Sequence, residues 1–184
     1  MSWQIDPSHS QIQFSVRHMM ITTVRGHFDK FTGSVDFNEA DPTQSTVVAE
    51  VDTASLNTRD AKRDGHLRSP DFFDAEHYPT ATFKSTKVEK LDKSHGRITA
   101  DLTIRGATRP ITLDVEYTGM GTMWGRTSAG FSGQTKFNRK DWGLNWNQTL
   151  ESGGLLVGEV VTINVELELV KQPEAQLAAE SAAA

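Results

Sequence analysis

Apolar and polar residues alternate one by one along most of the chain. In the first clear run, Ile12, Phe14 and Val16 share one face with His18, and the residues between them are polar. A period of two is typical of a strand with one buried and one wet face. Eight runs of this kind follow one another up to residue 169, if a segment with one change of parity is taken as a single bent strand.

Eight amphipathic strands joined mainly by short turns predict a closed barrel. Closure removes the exposed edges that an open antiparallel sheet would have to protect. The interior of such a barrel is wide enough for side chains or for one small ligand. The sequence therefore predicts an all-β, eight-stranded antiparallel barrel whose interior is either packed with side chains or kept as an apolar lumen.

The segment 57–79 interrupts the alternation and predicts a short helical insert that caps one end of the barrel. Asn57 or Thr58 fits a helix N-cap, and Asp60 suits the first turn of a helix. The Ser-Pro pair at 69–70 predicts a second helix start. The insert is either a plug that shields the rim from water or a lid whose basic residues bind an anionic head group.

Length and composition narrow the classes of function. The 184 residues predict one barrel domain at 1–171, followed by an Ala-rich tail at 172–184 that is expected to be disordered. A net charge of -5 argues against a nucleic-acid partner. Without cysteine the chain has no disulfide, no thiolate nucleophile and no Cys-ligated metal.

The N-terminus lacks the basic segment and apolar run of a signal peptide, and no stretch approaches the ~18 apolar residues of a membrane span. A cytoplasmic protein with no integral membrane segment is expected. A chain that starts after a cleaved signal peptide would instead be periplasmic or secreted.

Few residues offer catalytic or metal chemistry. The histidines lack the H-x-H or H-E-x-x-H spacing, so no metal site is predicted, and Ser132 lacks a G-x-S-x-G elbow. An enzyme acting on a hydrophobic substrate would use His18 or His66 with Asp60 for proton transfer. That alternative stays open, as does a folded interaction module with a filled barrel.

Several motifs occur in order along the chain: W-Q-I-D-P-S-H-S at 3–10, V-R-G-H-F at 24–28, S-L-N-T-R-D-A-K-R-D-G-H-L-R-S-P-D-F-F-D at 55–74, L-T-I-R-G-A-T-R-P at 102–110 and N-R-K-D-W-G at 138–143. With them the chain resembles the YceI-like family of lipocalin-like polyisoprenoid-binding proteins. The resemblance implies a lipocalin-like barrel that holds a long isoprenoid chain in its interior, with the polar head near one opening.

The predicted function is binding of a long-chain isoprenoid lipid, of polyprenyl or isoprenoid quinone type, for carriage or sequestration. No catalysis and no cofactor besides the bound lipid are expected, and pairing of two copies into a homodimer stays open. The lipid tail is predicted to contact Phe14, Val16, Val24, Phe28, Phe72, Phe73, Phe83, Leu102, Ile104, Phe131 and Phe137. The head group is predicted to contact His18, Arg59, His66 and Arg68.

Overall fold

The alternating runs of the sequence form antiparallel strands. The computed structural model describes residues 2–173, so most of the predicted tail at 172–184 lies outside the described part. The strands are β1 (Ser2–Ile5), β2 (Gln11–His18), β3 (Thr22–Phe28), β4 (Phe31–Asp36), β5 (Thr46–Asp52), β6 (Leu56–Asn57), β7 (Thr80–Lys90), β8 (His95–Ile104), β9 (Ala107–Met123), β10 (Arg126–Asn138) and β11 (Val160–Lys171). The α-helix of the described part is α1 (Ala61–Arg68).

The sheet closes on itself because β1 pairs with both β4 and β11. Around the barrel the order is β1, β4, β5, β7, β8, β9, β10, β11 and back to β1. Strand β2 continues the line of β1 along β11, and β3 continues β4 across a bend at Asp29 and Lys30. The prediction of an eight-stranded antiparallel barrel with one bent strand is confirmed.

Two tight turns join the longest strands. The β8–β9 turn consists of Arg105 and Gly106, with φ angles of 50° and 74°, and the β9–β10 turn consists of Trp124 and Gly125, with φ angles of 51° and 77°. Positive φ at both central residues is the type I′ pattern, whose twist matches that of the flanking strands. The long strands are therefore connected without loops that would obstruct either end of the barrel.

The connections give the barrel two different ends. We call the first the insert end, because the segment 53–79 with α1 lies there, together with the β8–β9 turn and the segment 139–159. We call the second the loop end, formed by the β4–β5 loop at 37–45, the β7–β8 loop at 91–94 and the β9–β10 turn. Apart from the junctions of β1 with β2 and of β3 with β4, which lie along the wall, the connections between the barrel strands lie at one of these two ends.

The insert differs in detail from the prediction. Asp60 is the N-cap of α1, since its carboxylate accepts a hydrogen bond from Arg63 N at 2.9 Å. Thr58 cannot cap the helix because its N–H and its hydroxyl both donate to the buried Asp64, at 2.9 and 2.5 Å. The Ser-Pro pair at 69–70 forms a non-helical turn rather than a second helix start. The predictions of Asn57 or Thr58 as the N-cap and of a second helix start at 69–70 were therefore wrong.

Candidate functional site

An apolar cavity of about 660 Å³ lies inside the barrel. This volume falls within the range of about 300 to 1,000 Å³ that small-molecule sites occupy. Inward-facing residues such as Ile12, Leu113 and Val165 line the cavity and are only partly buried, because they face open space rather than one another. The barrel's interior is therefore not packed solid with its own side chains.

Most residues that the sequence assigned to the lipid tail lie on the wall of this cavity: Phe14, Val16, Phe28, Phe72, Phe73, Phe83, Leu102, Ile104, Phe131 and Phe137. Val24 is not part of the lining. It pairs with Val16 in the β2–β3 hairpin. Contact of these side chains with a lipid stays a prediction.

Aromatic packing seals the insert end. The ring of Phe28 lies between those of Phe14 and Phe73, with centroid distances of 5.4 and 5.8 Å. Trp142 is 2% exposed and packs on Phe137 with a centroid distance of 4.6 Å. Arg105 connects this aromatic group to the sheet, since its guanidinium donates to the carbonyl of Phe72 at 3.0 Å. The cavity therefore has an apolar floor at this end.

The two arginines predicted to hold the head group have other surroundings. The guanidinium of Arg68 donates to the carbonyls of Ala54 and Leu56, at 2.8 and 3.0 Å, and so fastens α1 to the preceding segment. Arg59 is exposed, with a φ of 65°, directly before the N-cap Asp60. Neither arginine lines the cavity.

The two predicted histidines lie apart from the cavity as well. His66 packs edge-on against Phe72 and Trp146, with centroid distances of 5.1 and 4.6 Å. Its Nε2 lies 2.8 Å from a carboxylate oxygen of Asp71. His18 is half-buried at the end of β2. The structure brings His66 to the outer side of the floor and does not place His18 in the cavity lining.

Arg139 is a cavity residue that the sequence reasoning missed. It is 4% exposed and follows β10 directly, in the N-R-K-D-W-G motif. Its guanidinium donates to the carbonyls of Gly158, Leu144 and Val157, at 2.9, 2.5 and 3.4 Å, and its central carbon lies 5.9 Å from the ring centroid of Phe72. Desolvation by burial lowers the pKa of Arg139. Only the motif itself could have pointed to this residue.

The loop end is the open end of the cavity. The residues that line it there include the exposed, charged side chains of Glu39, Lys90, Asp92 and Lys93. Within residues 2–173, the ammonium groups of Lys90 and Lys93 form no ion pair and donate no hydrogen bond, although the charge of Lys90 helps to lower the pKa of Asp41. Glu39 pairs with Lys171 at 3.0 Å. Charge at this end is therefore solvated, and two cations are available to an anionic group.

The barrel wall at the loop end is lower on the β8 side of β9 than on the β10 side. Pairing of β9 with β8 ends at Glu116, whereas its pairing with β10 continues to Met123. The residues of β9 beyond Tyr117 therefore have a strand partner on one side only. Met120, in this stretch, lines the cavity, so the entrance lies between the β7–β8 loop and the projecting β9–β10 hairpin.

One group of possible metal ligands occurs among the described residues, formed by Asp6, His9 and Glu168. The Asp6 carboxylate already accepts hydrogen bonds from Ser8 and from the guanidinium of Arg126. An arginine at this carboxylate disfavours a cation, so the group is explained as a structural ion pair. Within residues 2–173, no helix has the length and apolar character needed to cross a membrane.

Solved structures share this fold. The chain matches BcnA from Burkholderia cenocepacia with a TM-score of 0.78 at 24% identity, covering 91% of this chain and 99% of that one. It matches the YceI protein of Campylobacter jejuni with a TM-score of 0.74 at 32% identity, covering 85% and 90%. A polyisoprenoid binding domain from Saccharophagus degradans matches with a TM-score of 0.61 at 17% identity, covering 93% and 98%.

Sequence relatives give the family. A UPF0312 protein of Vibrio cholerae is 44% identical over 140 residues, which cover 74% of this chain and 73% of the relative. A UPF0312 protein of Staphylococcus aureus is 32% identical over 169 residues, which cover 91% and 96%. The YceI-like domain matches residues 3–169. The chain therefore belongs to the YceI-like domain family.

Proposed function

We propose that this protein binds a long-chain isoprenoid lipid in its barrel and carries or sequesters it without chemistry. The observation that carries the proposal is the apolar cavity of about 660 Å³, which has a sealed floor and one open end. A narrow, deep site of this kind suits a long apolar chain better than a compact polar metabolite. The fold shared with a domain described as polyisoprenoid binding supports the choice of lipid class.

The apolar lining sets an expectation for chain length. Each buried methylene contributes about 0.8 kcal/mol, so ten buried carbons contribute about 8 kcal/mol. Association itself costs roughly 4 to 15 kcal/mol in lost freedom of motion. A chain of two isoprene units should therefore bind weakly, and affinity should rise with each added unit until the cavity is filled.

The positions of the three groups considered for catalysis do not support an enzyme that uses them. An enzyme would need an acid or base beside the bound chain, and the groups considered for that role are His18, His66 and Asp60. None of the three lines the cavity. Asp60 caps α1 and His66 pairs with Asp71, so both have structural partners outside the lumen.

Native mass spectrometry of protein purified from its host, followed by organic extraction, tests the proposal. One intact prenyl lipid per barrel is expected, either co-purified or taken up from added polyprenols and quinones. Val165→Trp places an indole in the middle of the lumen and should abolish uptake of long chains. Glu166→Trp places the same ring on the exposed outer face and should leave uptake unchanged.

Other outcomes would exclude the proposal. A wild-type barrel that takes up none of the added lipids favours an interaction module. Conversion of a bound lipid, lost in His18→Ala or His66→Ala, favours the enzyme. Circular dichroism of both tryptophan variants separates a blocked lumen from a misfolded barrel.

A further inference from the structure

We propose that Arg139 binds the polar head of the lipid at the insert end, through an uncharged oxygen that accepts a hydrogen bond. This inference rests on the proposed function. It places the head at the sealed floor of the cavity and the distal part of the chain towards the loop end.

Arg139 is a buried cation without a direct ion pair. Among residues 2–173, no Asp or Glu side chain lies within ion-pair distance of it. The nearby Glu159 interacts with Arg139 electrostatically but pairs with Lys140, at 3.1 Å. Its three hydrogen bonds go to backbone carbonyls of the segment 139–159. A guanidinium has five N–H groups, so two donors are left beyond these bonds. A buried donor that lacks an acceptor is costly, so these groups would gain most from a ligand oxygen.

The contacts around Arg139 indicate that its two remaining N–H groups serve a ligand in the cavity. Arg139 and Phe72 both line the cavity, and the guanidinium lies over the face of the Phe72 ring. The other face of this floor is covered, because Trp146 and His66 pack on Phe72. In such an apolar setting a hydrogen bond is stronger than in water. An oxygen that reaches the floor of the lumen would therefore meet one fixed, charged donor.

The charges at the two ends favour an uncharged head at the floor. A phosphate or diphosphate would leave water, pass the apolar lumen and meet a single guanidinium, and such burial of net charge is costly. Arg68 and Arg105 lie at the same end, but they donate to backbone carbonyls and do not line the cavity. Lys90 and Lys93, exposed at the loop end, are the site that an anionic head would choose.

Three probes with the same tail of four isoprene units distinguish these positions: a benzoquinone, a monophosphate and the hydrocarbon alone. Arg139→Met should weaken binding of the quinone about 10-fold or more, the size expected for a hydrogen bond to a charged donor, and leave the hydrocarbon unchanged. The double variant Lys90→Met, Lys93→Met is the matched control, and it should weaken the phosphate only. The carbonyl stretch of the bound quinone should shift to lower frequency in wild type and shift less in Arg139→Lys.

Several results would overturn the inference. Equal losses for quinone and hydrocarbon in Arg139→Met would mean that Arg139 only supports the floor. A selective loss of quinone binding in the lysine double variant would place the head at the loop end. If Arg139→Met does not fold, an unchanged carbonyl stretch in Arg139→Lys decides against the inference. Failure of wild type to bind any of the three probes would instead reject the proposed function, and the inference with it.

Discussion

The surroundings of charged side chains differ between the insert end and the loop end of this barrel. At the insert end, the guanidinium groups of Arg68, Arg105 and Arg139 donate to backbone carbonyls and hold irregular segments over the barrel. At the loop end, charged side chains are exposed, and Glu39 pairs there with Lys171. A barrel that is symmetric in its strands thus has one fixed, sealed end and one solvated end.

This difference predicts where substitutions are costly. Exposed ion pairs contribute little to stability, with typical values of about 0 to 1 kcal/mol. Removing one partner of a buried polar contact costs about 1 to 3 kcal/mol, because the other partner is left without a bond. Stability should therefore depend on the insert end, while the loop end is free to change for ligand entry.

The largest effect is expected for Trp142→Ala. This indole is 2% exposed, packs on Phe137 and donates to the carbonyl of Leu102 at 2.9 Å. Its truncation should lower the free energy of unfolding by about 3 to 5 kcal/mol in urea titrations. Trp124, which is 97% exposed at the loop end, is the matched control. Trp124→Ala should change the free energy by no more than about 0.5 kcal/mol, and equal losses would contradict the comparison of the ends.

A smaller loss is expected for Asp64→Ala. Asp64 is buried and accepts hydrogen bonds from both the N–H and the hydroxyl of Thr58. The substitution leaves these donors unpaired and should cost about 1 to 3 kcal/mol, measured by chemical unfolding. Asp92→Ala removes a similar set of bonds at the loop end, to the backbone of Ser94 and His95, but in an exposed position. A loss at Asp92 as large as that at Asp64 would show that burial does not decide the outcome.

The strands and the cavity wall could be predicted from the sequence because one face of each strand is apolar. A shift of one residue in strand register would turn every inward residue outward, so alternation specifies both the strand and its buried face. Phe14 and Phe131, for example, were assigned to the interior from parity alone, and both line the cavity. Val24 follows the same alternation but is not part of the lining, although its strand partner Val16 is.

The floor of the cavity could not be predicted in the same way. Arg139 lies in a polar turn sequence, and such residues are mostly exposed. Its burial depends on the segment 143–159 folding over it, which is a long-range contact without a periodic signal. The N-cap of α1 posed a similar problem, since Asn57, Thr58 and Asp60 are all suitable cap residues. Only the contact between Thr58 and Asp64 decides among them.

The two tight turns allow a finer test of the comparison. Trp124 and Arg105 both adopt a positive φ, near 50°, at the first position of a type I′ turn, where Asn is favoured. Trp124→Asn should raise the free energy of unfolding by up to about 1 kcal/mol, because it relieves backbone strain without losing a contact. Arg105→Asn should bring no gain, since it removes the hydrogen bond to the Phe72 carbonyl. Equal gains in thermal melts would show that this bond contributes nothing to the insert end.

The smallest effects are expected from pH, and they have opposite signs at the two ends. At the loop end, hydrogen bonds from the backbone of Ser94 and His95 lower the pKa of Asp92 from 3.8 to about 2. A lowered pKa means that the carboxylate stabilises the fold above its unfolded value, and this contribution is lost as the pH falls towards 2. At the insert end, the Asp74 carboxylate accepts a hydrogen bond from His77 and raises the pKa of His77 above 6.5, so this contribution is full below 6.5 and is lost as the pH rises through the raised value.

Melting temperatures measured against pH separate the two contributions. The difference between wild type and Asp92→Asn should be constant near neutral pH and shrink below pH 3.8, whereas the difference for His77→Gln should shrink on the alkaline side. Both side chains are exposed, so each difference should be small beside that of Asp64→Ala. If the Asp92→Asn difference instead grew in acid, the hydrogen bonds from Ser94 and His95 would not be what stabilises the Asp92 carboxylate in the fold.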